Sequence, residues 1–328
     1  MKKTIWVCPK GIDFTTAHVP VDFTDNVTDE ACWPTVLPHT AVLKLYIQQL
    51  YSTPQEELER IGAFVQKHGL EVAVEVGGAR MAPAGTPGHL VGLMAAEREY
   101  PYLANFIHAG GRVDYITTDH ALAENLTGRL VSYPDLDRRG LMRQQMVYYR
   151  YVQEKIPGLR LGAIESLGFF RIKGADRQYE QTDPTLPVKL DFETYLTELT
   201  EEAAAADLRL DHFHIDFGYH EMLSDGGFGR HLATEDFVHS LGLDCGFIAA
   251  NAFHEKMDWP AADVPEANRS ARERTLKYFE GYMLAGGHSD YLVFQRWQQY
   301  PYVTGPETEK YSCLGIFKGL VDSPYFPK

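Results

Sequence analysis

The stretch 210-LDHFHIDFGYHE-221 places three acids and three histidines around Phe213, Ile215 and Phe217. Every second residue of its centre is apolar, and the residues between them are His212, His214, Asp216 and Gly218. Such alternation is the period of a strand with two different faces. One face suits a hydrophobic layer. The other sets a carboxylate beside imidazoles, which an interior accepts at low cost only when those groups are paired or used. The fold must therefore have an interior that is polar along one side of its strands.

Similar runs recur along the whole chain. TIWVCP (4–9), AVLKLYIQ (41–48), LEVAVEVG (70–77), RVDYITTD (112–119), LRLGAIES (159–166), CGFIAAN (245–251) and DYLVFQRW (290–297) join LDHFHIDF (210–217) to make eight predicted strands. Helical segments lie between them. STPQEELERIGAFVQKHG (52–69) opens with Ser, Thr, Pro and acids and closes on glycine, as helix ends do. DFETYLTELTEEAAAADL (191–208) has acids in its first turn and an alanine run, and PEANRSARERTLKYFEGYMLAGG (265–287) carries apolar residues at helical spacing and stops at a glycine pair. Residues 10–40 are rich in Pro and Asp and show little helical pattern, so the first β–α connection is expected to be irregular. No repeat or Gly/Ser linker divides the 328 residues. The expected architecture is one (β/α)8 barrel domain, residues 1–328. A doubly wound sheet would carry a glycine-rich phosphate turn after its first strand, and CPKGIDF (8–14) is not one.

In a barrel one strand face meets the helices and the other fills the interior. Leu43, Leu45 and Ile47 then face outward, and Lys44, Tyr46 and Gln48 inward. Val72, Val74 and Val76 face out, with Glu71 and Glu75 inward. Phe213, Ile215 and Phe217 face out, with His214 and Asp216 inward. Leu292 and Phe294 face out, with Gln295 and Trp297 inward. Asp119, Glu165 and Asn251 are expected inside, near the carboxyl ends of their strands, where the active sites of this fold lie.

Converging carboxylates with a tryptophan suit two chemistries. In glycoside hydrolysis one acid protonates the leaving oxygen and another is base or nucleophile. The catalytic candidates are Glu165, Asp216, Glu75 and Asp119, with Glu165 and Asp216 expected to act as a pair. Lys44, Tyr46, Gln48, His214, Tyr219, Asn251, His254, Gln295 and Trp297 are the candidates for binding a carbohydrate substrate. That reading calls for no cofactor and no metal. In the alternative, a sugar isomerase or epimerase, Asp119, Glu165, Asp216 or His214, and His254 or Glu255 hold one divalent cation. A third reading is a barrel that binds glycan without cleaving it.

The segment DYLVFQRWQQYPYVTGPETEKYSCLGIFKGLV (290–321) resembles the last strand and loop of (β/α)8 glycoside hydrolases. The resemblance implies that Trp297 lines the sugar site, with Glu307 a looser candidate. One large group of that family has an Asn-Glu pair after strand four and a Glu after strand seven. Here TTDHA (117–121) and AANAFHE (249–255) offer Asp119 and Glu255 instead.

Composition narrows the partners. A net charge of −14 disfavours nucleic acid and anionic membrane surfaces. No run approaches the ~18 apolar residues of a membrane span. MKKTIWVCP has a basic start, but its apolar run ends at Pro9, short of a signal peptide's roughly 7–15-residue core. A cytoplasmic location is expected, or a secreted one if a leader was removed. The four cysteines are isolated in sequence and are expected to be reduced thiols.

Overall fold

A computed structural model describes residues 4–9, 22–127, 133, 135–182, 186–249, 264–296, 300–301 and 303–327. Eight parallel strands close into a barrel in which each strand pairs with its neighbours in sequence, and the last pairs with the first. They are β1 (Thr4–Cys8), β2 (Thr40–Tyr46), β3 (Glu71–Val76), β4 (Tyr115–Asp119), β5 (Arg160–Ser166), β6 (His212–Asp216), β7 (Asp244–Ile248) and β8 (Tyr291–Gln295). The architecture is a (β/α)8 barrel. Helices including Gln55–His68, Val91–His108, Arg138–Lys155, Phe192–Ala205 and Val264–Leu284 surround it.

All eight predicted strands are present, with adjusted ends. β2 stops at Tyr46, because the helix Ile47–Ser52 begins there and the Gln49 side chain accepts the Tyr46 amide at 2.8 Å. Gln48 therefore belongs to a helix and does not continue the inward row. β4 begins at Tyr115, since the side chain of Asp114 is taken up by the Val72 amide at 2.8 Å. Between residues 22 and 39 the first connection forms one short helix, Phe23–Thr28, and two single 3-10 turns. After β5 the chain adds a small sheet, Phe170–Lys173 flanked by Gln178–Tyr179 and Leu190–Asp191, which the sequence did not announce.

The outward residues of the strands join the helices in one large apolar cluster that contains Leu43, Leu45, Val72, Val74, Phe213, Ile215, Leu292 and Phe294. A second, smaller cluster fills the barrel: Trp6, Val42, Ala73, Ile164, Ile248, Tyr291 and Val293. Trp6 is its centre. Its ring stacks on Tyr291 with centroids 4.6 Å apart and also meets Tyr115, His212 and His214. His212 shares a hydrogen bond with Thr117 Oγ1 at 2.9 Å, and His214 one with the Tyr291 hydroxyl at 3.0 Å. Burial lowers the His212 pKa to about 3, and holds His214 well below its ordinary value, with Lys44 nearby adding to both. Both imidazoles are neutral filling of the interior, and His214 is not free to meet substrate.

This aromatic plug needs a strand with no side chain beside it. A Cβ on Gly162 would stand 2.2 Å from the His212 ring. Gly162→Ala is therefore expected to destabilise the fold by the ~1–3 kcal/mol typical of overpacking, read as a lower denaturation midpoint at unchanged slope.

Candidate active site

The site lies at the carboxyl ends of β2, β3, β4, β6 and β8. Lys44, wholly buried, forms an ion pair with Glu75 at 2.7 Å and donates to Gln295 Oε1. Gln295 in turn donates to Glu75 at 3.1 Å, so three strands are tied across the mouth. Burial raises the pKa of Glu75, Lys44 opposes that, and Asp119 adds to it. Tyr46 sits beside Cys8 and Glu75, and its phenol stays protonated because burial raises its pKa well above the ordinary value.

Asp119 ends β4 and is held by Arg80 at 2.6 Å; the same guanidinium reaches Glu124 at 3.0 Å. Burial alone would raise the Asp119 pKa. His120, Arg80 and Lys44 outweigh it, and the net shift is downward. Asp216 ends β6 without such company. Burial, reinforced by Asp119, Glu221 and Glu75, raises its pKa to about 8. His120 stands between the two acids, Nδ1 3.7 Å from Asp119 and Nε2 3.6 Å from Asp216. One carboxyl is ionised at neutral pH and the other is protonated.

Arg80 and His120 escaped the alternation because both lie in turns just beyond strand ends. Arg80 is carried by the 3-10 turn Gly78–Met81. Glu99 accepts the amides of Gly77 and Gly78 at 2.9 and 3.2 Å, and Gln145 accepts that of Ala79 at 2.9 Å, which fixes the turn. Gly78 has φ +59°, and a Cβ there would meet Gln145 at 2.7 Å, so glycine is required. His120 adopts φ +47°, a strained value for a residue with a side chain. The one sequence cue was its place directly after Asp119 in TTDHA.

Four expected residues are elsewhere. Glu165 does not face the mouth: in β5 the inward residues are Gly162 and Ile164, and Glu165 pairs in register with outward Ile215. It is buried against the helix Phe192–Ala205, where the Tyr195 hydroxyl donates to it at 2.5 Å and burial raises its pKa well above normal. The expected Glu165–Asp216 pair is thus not formed. Tyr219 opens the helix Tyr219–Asp225 and packs on Tyr278 in the outer core. Glu307 accepts the amides of Thr35 and Val36, pinning the C-terminal loop to the first connection. Glu71 is paired with Arg160 and Tyr115 at the opposite end of the barrel. Asn251, His254, Glu255 and Trp297 lie outside the described residues. Among the described residues no three His, Cys, Asp or Glu side chains are grouped to hold a metal ion.

No family model and no curated protein matches this sequence. Solved structures share its barrel at low identity. Orotidine 5'-monophosphate decarboxylase from Methanocaldococcus jannaschii is 10% identical with a TM-score of 0.42, over 98% of this chain and 99% of that one. Deoxyribose phosphate aldolase from Aeropyrum pernix is 9% identical with a TM-score of 0.42, over 88% and 84%. A D-psicose 3-epimerase is 11% identical with a TM-score of 0.40, over 86% and 83%. These are likenesses of fold. A functional reading stands on the mouth itself.

The protonated carboxyl has a consequence for stability. Folded Asp216 keeps its proton to about pH 8, whereas an unfolded aspartate loses it near 3.8, so the native chain binds the extra proton between those values. Stability contributed by that proton is lost as pH rises through this window. Asp216→Asn removes the loss. Its gain over the parent, measured by chemical denaturation, should grow from pH 4 to about 8 and then level off.

Proposed function

We propose that the chain is a carbohydrate-active enzyme, a glycoside hydrolase, with Asp216 as general acid and Asp119 as its ionised partner. The observation that carries this is the placement of two carboxyls on either side of His120, Asp119 bound by Arg80 at 2.6 Å and Asp216 with no such partner among the described residues, their pKa values shifted in opposite directions. Environments that push two acids apart in pKa define an acid and a base. Protonated Asp216 gives its proton to the glycosidic oxygen as the bond to the anomeric carbon breaks. Ionised Asp119 stabilises the positive charge on the sugar and serves as base or nucleophile. Arg80 keeps Asp119 ionised. His120 stands within 3.7 Å of both carboxyls and re-equilibrates the proton between them after turnover. Lys44, Gln295 and Glu75 form a polar floor whose donors and acceptors match sugar hydroxyls.

The test is hydrolysis of a panel of aryl glycosides from pH 4 to 9. Asp119→Asn should cut turnover by about a hundredfold or more on every substrate, whereas Glu165→Gln should leave it near the parent value. Asp216→Asn should cost ~10²–10⁴-fold on poor leaving groups and little on good ones, which depart without protonation. An equal loss on all leaving groups removes Asp216 as the acid. Activity abolished by a chelator and restored by Mn²⁺ moves these residues to metal chemistry. Tight glycan binding with no turnover at any pH leaves a binding barrel.

A further inference from the structure

β8 ends beside a guanidinium that the mouth chemistry does not use. Arg296 follows Gln295, and its amide donates to the Cys8 carbonyl at 3.2 Å, so it stands where β8 meets β1 at the mouth end. It is 1% exposed. Its Nη1 donates to Thr275 Oγ1 on the helix Val264–Leu284 at 3.2 Å. Nε and Nη2 are buried with no acceptor, and no carboxylate among the described residues pairs with them. The ionisable groups that act on it are Cys313 and Tyr46, a thiol and a phenol. The Tyr46 hydroxyl is itself buried beside Cys8 without an oxygen or nitrogen partner.

Arg230 shows what a buried arginine looks like when it serves the fold. It is equally inaccessible, yet Nε meets Asp225, Nη1 donates to the carbonyls of Leu167 and Phe170 at 3.1 Å, and Nη2 donates to that of Glu180 at 2.5 Å. In the mouth Lys44 is matched by Glu75, and Arg80 by Asp119 and Glu124. Of these cations, Arg296 alone has no anion among the described residues. An unpaired buried charge is strongly destabilising, and an apolar side chain of similar volume would fill the same space at less cost. A guanidinium with open N–H groups is, in contrast, shaped to take an oxyanion.

We propose that Arg296 is the receptor for an oxyanion of the substrate, a carboxylate or a phosphate, with the Tyr46 hydroxyl as a second donor. The substrate class is then an acidic sugar and not a neutral one. That last step rests on the carbohydrate reading of the mouth; the anion site itself does not.

The test compares the parent, Arg296→Met, Arg296→Lys and Asp216→Asn by thermal unfolding and calorimetry. The probes are D-glucuronate, D-glucose 6-phosphate, inorganic phosphate and neutral D-glucose. The parent Tm should rise with glucuronate or with the phosphate probes and stay put with D-glucose; the responding arm identifies the anion. Without ligand, Arg296→Met should melt at or above the parent temperature, because an uncompensated charge has gone. Its anion response should disappear, with affinity down roughly tenfold to a hundredfold, while Arg296→Lys keeps part of it. Asp216→Asn should keep the full response, so failure of the acid–base mechanism is read separately in turnover. Three results overturn the proposal: a parent that answers neither anion class, an anion response that survives in Arg296→Met, or a ligand-free Arg296→Met that melts well below the parent.

Discussion

The buried ion pair between Lys44 and Glu75 is what permits this barrel a charged mouth. Closing eight strands into a cylinder sends every second side chain into a space with little water, where lone charges are unstable. Lower down, the rings of Trp6, Tyr115 and Tyr291 fill that space, and the two histidines among them are neutral. Higher up, the ammonium of β2 meets the carboxylate of β3 at 2.7 Å under the amide of β8. Removal of either partner would strand a buried charge, at a cost of ~3–5 kcal/mol. With that pair closed on itself, the remaining acids divide the remaining cations unequally. Asp119 takes Arg80. Asp216 has no Lys or Arg partner among the described residues, so burial, with Asp119, Glu221 and Glu75 nearby, raises its pKa.

The protein uses buried acids in two ways that look alike in one dimension. Glu99, Glu165, Glu235 and Glu307 are as inaccessible as Glu75. Each of the four is occupied by the backbone or a tyrosine: Glu99 by the turn amides and Tyr148, Glu165 by Tyr195, Glu235 by Tyr282 and the His288 amide, and Glu307 by the amides of Thr35 and Val36. These are connectors, placed where a loop or helix needs an acceptor. Glu99 in particular acts on the site from a distance, since the turn it holds is the one that carries Arg80 to Asp119. Burial of an acid alone therefore says little about chemistry; the partners decide.

Much of the barrel was legible in the sequence, because period-two alternation survives wherever the outward residues are Leu, Val or Phe. In β2, β3, β6 and β8 that alternation correctly set Lys44, Tyr46, Glu75, Asp216 and Gln295 inside. β5 was different. Leu161, Ala163 and Ile164 are apolar on both faces and Gly162 has no side chain, so nothing in the strand itself told its two sides apart. Pairing with β6 decided it, setting Ile164 opposite His214 and turning Glu165 toward the helices.

Composition and periodicity by themselves determined the fold class, the number and order of strands, and the direction of most polar side chains within them. These follow from local sterics and from the need of each outward face to be apolar. The tertiary structure alone decided which acids meet which cations. Arg80 and His120 reach the mouth from turns without periodicity, through positive φ at Gly78 and His120 and through amides held by a glutamate 21 residues or more away. Protonation was beyond the sequence for the same reason. A carboxyl's pKa is set by burial and by charges brought close in space, and for Asp119 and Asp216 those came from other strands and turns.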